Sequence, residues 1–240
     1  MTQRSSHHKL YYYKKKETPI FIAVLVQYLF KMSRQVKEFL YGRIGIEKYS
    51  KEFVIVFANY VDTGKANLDA ELNIINARAA GIENVDIYIT PCVQPSDYKI
   101  CGNARESITA VLDHLNKNNA KFGRVWLNID GLTGCEKYKE WNKDNKTENI
   151  EFIDEMVNTL EERKRPYGFY TDKYNWHEIT GNTRKYNDTP LIYYHFDDKN
   201  NFDDYNEYGY PFGGWEKPTM KRYIDTATIC EIEVSNIFKN

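Results

Sequence analysis

From residue 20 onward, short apolar runs alternate with segments whose apolar residues recur at helical spacing. This alternation limits the possible folds more than any other feature of the chain. Val54-Ile55-Val56-Phe57, Val85-Asp86-Ile87-Tyr88-Ile89, the run through Trp126, Tyr167-Gly168-Phe169-Tyr170 and Leu191-Ile192-Tyr193-Tyr194 read as buried strands. Between them, residues 67–80 carry Leu68, Leu72, Ile75 and Ala79, with Asn67 or Asp69 as cap and Gly81 as stop. Residues 104–117 carry Ile108, Val111, Leu112 and Leu115, and residues 148–164 carry Ile150, Ile153, Met156, Val157 and Leu160. A shorter helix surrounds Trp176, and residues 219–238 read as closing strands. Strands joined by helices without a linker imply a parallel sheet, either an α/β barrel or an open doubly wound sheet. No glycine-rich phosphate loop follows a strand, which argues against a nucleotide-binding sheet.

Barrel chemistry sits at the C-terminal ends of the strands. The polar residues there are Asn59, Thr90, Asn128, Asp130, Thr171, His195 and Asp197. Asn128 and Asp130 are two apart on one strand, so their side chains share a face at a separation of about 6.5–7 Å. Two carboxylates so placed are what glycoside hydrolysis needs. Here one member is an amide, which keeps the shape and removes the charge.

The 240 residues suffice for one barrel-sized domain or two small ones. A net charge of −1 hides an asymmetry: residues 1–61 hold eleven Lys or Arg against four Glu and no Asp. Lys14, Lys15 and Lys16 form a single run without interleaved aromatics, which reads as a solvated tail rather than a nucleic-acid surface. Cys92 and Cys101 are spaced to close a loop, which would imply an oxidising compartment, whereas Cys135 and Cys230 have no evident partners. No zinc-like spacing is present, and no metal or cofactor is expected. Residues 19–30 are too short to span a membrane and read either as a first strand or as a signal-peptide core without a clean cleavage site. The 20 Tyr suit either an extended sugar-binding cleft or an ordinary polar surface.

Four stretches together resemble the glycoside hydrolase family 25 lysozymes, in the branch found in some invertebrates and protists. Asn76-Ala77-Arg78-Ala79-Ala80-Gly81-Ile82 leads into Val85-Asp86-Ile87-Tyr88-Ile89-Thr90-Pro91-Cys92. Trp126-Leu127-Asn128-Ile129-Asp130-Gly131 parallels Trp-Leu-Asp-Ile-Glu-Gly. Pro190-Leu191-Ile192-Tyr193-Tyr194-His195-Phe196-Asp197 parallels Pro-Leu-Trp-Tyr-Ala-His-Tyr-Asp. Phe212-Gly213-Gly214-Trp215-Glu216-Lys217-Pro218 precedes the last strands.

The resemblance implies a single modified TIM-like (β/α) barrel over residues 19–240 behind a basic, disordered tail of residues 1–18. It also implies a secreted or lumenal monomer that acts on bacterial cell-wall glycan (peptidoglycan) without a metal, in defence or digestion. The family's acids do not carry over as such. Leu25 stands at the first-strand Asp, Asn128 and Asp130 at the Asp-x-Glu pair, and Ser235 at the C-terminal Asp. Asn128 and Asp130 are thus a degenerate catalytic pair, and hydrolysis is expected to be lost or strongly reduced. The alternative is an active, altered glycosidase with Asp130 as acid, in which Glu233, Asp197 or Asp86 replaces a lost carboxylate. Tyr88, Tyr193, His195, Asp197 and Trp215 are the candidate substrate-binding residues. For Tyr88, Tyr193 and Trp215 packing is an equal reading, and for His195 so is a bond to a backbone carbonyl.

Overall fold

The computed structural model describes residues 22–26, 53–79, 81–131, 141–207, 211–229 and 232–239. The predicted tail, Cys135 and Cys230 lie outside them. Among the described residues, eight strands close into a barrel in chain order: β1 (Ile22–Val26), β2 (Phe53–Phe57), β3 (Asn84–Ile89), β4 (Val125–Asn128), β5 (Tyr167–Thr171), β6 (Leu191–Tyr194), β7 (Met220–Ile229) and β8 (Ile232–Lys239). Neighbours from β1 to β7 run parallel, and β8 runs antiparallel to both β7 and β1. This is the expected modified (β/α) barrel, and residues 22–26 are its first strand.

Helices α1 (Ala70–Ala79), α2 (Ala104–Lys117), α3 (Lys146–Glu162), α4 (Lys173–Thr180) and the short α5 (Asp203–Glu207) cross the outside. Each start of α2, α3 and α4 is set by a side chain that accepts an otherwise orphaned N–H. Asn103 accepts from Glu106, Asn145 from Glu148, and Asp172 from Asn175.

Strand alternation sorts the core into two layers. Phe53, Ile55, Tyr88, Trp126, Tyr170, Ile192, Met220 and Ile237 fill the barrel interior. Val54, Val56, Ile87, Leu127, Phe169, Leu191 and Tyr193 face outward and pack under the helices with Trp176 and Trp215. Gly168 makes room for the largest inner ring, because a Cβ there would lie 2.5 Å from the indole of Trp126 on the neighbouring strand.

Helix α1 departs from the expected face. Its buried residues are Ala70, Ile74 and Ala77, while Leu68, Leu72 and Ile75 are 63%, 53% and 44% exposed. Both sets have the same i, i+4, i+7 spacing, so periodicity gave the pattern without its phase. The two short alanines let the helix sit close against the sheet.

Candidate active site

At the C-terminal rim of β2, β3 and β4, three polar residues form a chain. The backbone N–H of Thr90 donates to Asn59 Oδ1 at 3.0 Å, and Asn59 Nδ2 donates to the Thr90 carbonyl at 2.7 Å. Asn128 Nδ2 then donates to Thr90 Oγ1 at 2.9 Å. This fixes the orientation of the Asn128 amide, with Nδ2 turned to Thr90. Its Oδ1 is buried and has no hydrogen-bond partner among the described residues, an acceptor held ready for a donor.

Asp130 lies one pleat further on and is partly buried. Burial pushes its pKa up to about 6, and the nearby charge of Asp172 adds to this. A hydrogen bond from the Tyr194 hydroxyl and the charge of Arg222 oppose the rise. Asp172 is also raised by burial, against hydrogen bonds from the Asn175 backbone and side chain and from Tyr194. Asn175 ties these parts together. Its backbone N–H and Nδ2 reach Asp172 Oδ1 at 2.6 and 3.0 Å, its Nδ2 reaches the Tyr194 hydroxyl at 2.5 Å, and its Oδ1 accepts from the Gly131 N–H at 2.8 Å. The end of β4 is thereby pinned to the N-terminus of α4.

The floor beneath is aromatic. Tyr88 stacks on Phe57 with ring centroids 4.9 Å apart and meets Tyr170 edge-on at 6.1 Å. Arg222 donates to the Tyr170 hydroxyl at 2.6 Å and pairs with Asp225. Burial works to lower the Arg222 pKa, but the Tyr170 and Asp225 partners outweigh it and keep the guanidinium charged. Above Arg222 lies Phe196, half-exposed at the rim, 5.2 Å from the guanidinium carbon and stacked on Tyr194 at 5.7 Å.

The five predicted binding residues are distributed differently from the expectation. Tyr88 points inward but is buried as floor. Tyr193 and Trp215 are fully buried on the outer side of the sheet, where Tyr193 donates to Asp204 at 2.8 Å and the Trp215 indole donates to the Thr189 carbonyl at 2.7 Å. Neither offers a ring face to a ligand, so both leave the binding set.

His195 and Asp197 also lie outside the barrel. His195 Nδ1 meets Asp204 at 2.8 Å, and the buried Lys221 ammonium donates to Asp197 at 2.7 Å and to Asp204 at 2.8 Å. Burial alone would raise Asp204, but Lys221, Tyr193 and His195 outweigh it and hold its pKa below the usual carboxylate range. The ligand atoms of His195, Asp197 and Asp204 lie within 4.8 Å of one another, as metal ligands do. The Lys221 ammonium already occupies the cation's place.

Two proposed replacement acids can be placed. Asp86 sits at the opposite, N-terminal end of the barrel, where it accepts from the Arg124 N–H at 2.8 Å and from the Trp126 indole at 2.9 Å. Asp197 is committed to Lys221. Both leave the cleft. Glu233 lies in β8 with Thr228 as its Cα partner, and its side chain falls outside the described residues. Leu25 and Ser235, the two positions matched to the family's outer acids, are Cα partners across β1 and β8. Ser235 donates to the Asp225 carbonyl at 2.5 Å.

Asp172, Tyr194, Asn175, Arg222 and Phe196 did not figure among the sequence candidates. A period-2 count from Gly168 and Tyr170 reaches Asp172, and one from Ile192 reaches Tyr194 and Phe196. That signal was present but was read one residue off, at Thr171 and His195.

Comparison with known proteins decides the family. A family profile described as "Lysozyme-like protein 1" matches residues 24–223. A probable GH family 25 lysozyme from Dictyostelium discoideum is 33% identical over 179 residues, covering 75% of this chain and 76% of that protein. The chain is a member of the glycoside hydrolase family 25 lysozymes. Lysozyme-like protein 5 of Caenorhabditis elegans is 31% identical over 70% of this chain and 72% of its own length. Among solved structures, the lysozyme of Streptomyces coelicolor superimposes with a TM-score of 0.63 over 93% of this chain and 94% of that one, at 16% identity. The muramidase of Trichobolus zukalii gives 0.60 over 82% and 86%, at 18% identity. These two show the same barrel. Among the described residues, no helix of this lysozyme relative is long and apolar enough to cross a membrane.

Proposed function

We propose that this protein binds bacterial cell-wall glycan at the mouth of its barrel and hydrolyses it weakly or not at all. The observation that carries this reading is Asn128. It is buried at the position where the family motif has a carboxylate, with Nδ2 donating to Thr90 and Oδ1 unpaired among the described residues. A neutral amide cannot stabilise the positive charge that develops on a sugar ring, and losing such a preorganised charge costs on the order of 10²–10³ in rate. The open Oδ1 suits the N–H of a sugar acetamido group, which preserves recognition. Support for the glycan comes from the relatives: one matched structure is an autolysin described as in complex with a synthetic peptidoglycan ligand. The Cys92–Cys101 disulfide supports a secreted or lumenal setting.

The test compares wall clearance and glycan retention in one preparation. Wild-type protein should be retained on insoluble peptidoglycan without clearing a bacterial wall suspension. Asn128→Asp should raise clearance by about 10². Absence of retention would refute the binding reading.

A second reading, an active but altered glycosidase, is favoured by Asp130. Its pKa of about 6 suits a general acid near neutral pH. On that reading the wild type clears walls, and Asp130→Asn abolishes clearance while leaving retention in place.

A further inference from the structure

The family pattern places both members of the acid pair at the end of β4, and in this chain one of them is an amide. Asn128 and Tyr170 are Cα partners across β4 and β5, so the register brings the carboxylate of Asp172 beside Asp130. Asp130 and Asp172 each lie two residues after these partners, so their side chains share the inner face at the rim. Two carboxylates so close do not both ionise readily, and one of them holds a proton.

The surroundings decide which of the two carboxyls holds the proton. Asp172 is the N-cap of α4 and accepts from the Asn175 N–H, the Asn175 amide and the backbone of Tyr174. Those donors, at the positive end of a helix, favour the anion. Among the described residues, the hydrogen-bonding group that favours the Asp130 anion is the Tyr194 hydroxyl.

We propose that Asp172 is a positioning residue for Asp130. Helix α4 holds Asp172 as the charged member of the pair, and that neighbouring charge leaves the acidic proton on Asp130. This rests on the reading of Asp130 as the acid of the mouth. It adds that the charge lost at Asn128 is partly supplied from β5, so the working pair is Asp130 with Asp172. Among the described residues, the other groups facing Asp130 are Tyr170 and Tyr194, which are neutral, and Arg222, which is held by Tyr170 and Asp225.

The test is a carbon-13 carboxyl NMR titration of the intact protein, with no glycan present. Asp172→Asn keeps a capping side chain and removes the charge, and it should lower the Asp130 midpoint by about one pH unit. Tyr194→Phe removes the donor that favours the Asp130 anion, and it should raise the midpoint. Opposite signs support the proposal, because general loosening of the site would move both variants the same way. An unchanged midpoint in Asp172→Asn, or a common direction in the two variants, overturns it. Should Asp172→Asn fail to fold, Asp172→Ser, which also caps a helix, is read by the same criteria. Since the titration uses no sugar, a mouth that binds no glycan refutes the functional reading and leaves this result standing.

Discussion

Two carboxylate clusters lie on opposite faces of β6 and β7, and adjacent residues of the same strands build them. Tyr193 and Lys221 face outward and serve Asp204, while Tyr194 and Arg222 face inward near Asp130. Burial opposes ionisation in both places. Outside, an ammonium at hydrogen-bond distance overcomes it, and the Asp204 pKa falls. Inside, burial is joined by the charge of another carboxylate, the guanidinium is engaged elsewhere, and the Asp130 pKa rises. The outer cluster is a closed ion network that stabilises the fold. The inner one keeps an acid out of its preferred state, as sites that transfer protons do.

The sharpest way to break this contrast is to remove the outer cation. Lys221→Met leaves Asp204 and Asp197 without their ammonium, and urea unfolding at pH 7 should show a loss of about 3–5 kcal/mol. The Asp204 pKa lies below its ordinary value, so the stability it contributes is present above that value and is lost as pH falls through the folded one. The deficit of the variant should therefore shrink in acid. A loss below about 1 kcal/mol at neutral pH would place the outer cluster among ordinary surface pairs.

The inner cluster should respond with the opposite sign. The Asp130 pKa is about 6 in the folded chain against an ordinary 3.8. The folded state therefore binds more protons between those values, and stability falls as pH rises through that window. Asp130→Asn avoids this penalty. It should be more stable than wild type by about 2 kcal/mol at pH 7, with the gain vanishing near pH 3. No gain at neutral pH would mean that Asp130 carries no strain.

A third comparison concerns the two stripes of α1. Ile74→Ala, on the buried stripe, should cost about 2–4 kcal/mol in thermal unfolding. The smallest effect expected is that of Leu72→Gln on the exposed stripe, within about 0.5 kcal/mol. A large loss from Leu72→Gln would show that this stripe is covered.

Much of the barrel was legible because β-strand and helix periods differ. Leu191–Tyr194 was placed to the residue, α2 from its Ile108, Val111, Leu112 and Leu115 face, and the Cys92–Cys101 pair from spacing. The site was less legible. Asn128 and Asp130 were found because i and i+2 share a face. Asp172 was missed because a helix cap and a strand end coincide there, and neither pattern alone marks a residue for the cleft. Tyr193, His195 and Asp197 were misplaced because a motif names residues without naming the face of the sheet. Tyr194, between Tyr193 and His195, is the one that turns in.

The chain by itself determined the order of strands and helices, the family, and the replacement of the β4 carboxylate by Asn128, since all of these follow from residue identity and spacing. Only the closed barrel decided which acids meet. Curling the sheet brings Asp130 of β4 against Asp172 and Tyr194, 42 and 64 positions further along the chain, and puts Asp86 at the far end. Coulombic and hydrogen-bond energies depend on distance through space, and no pattern along the chain records that distance.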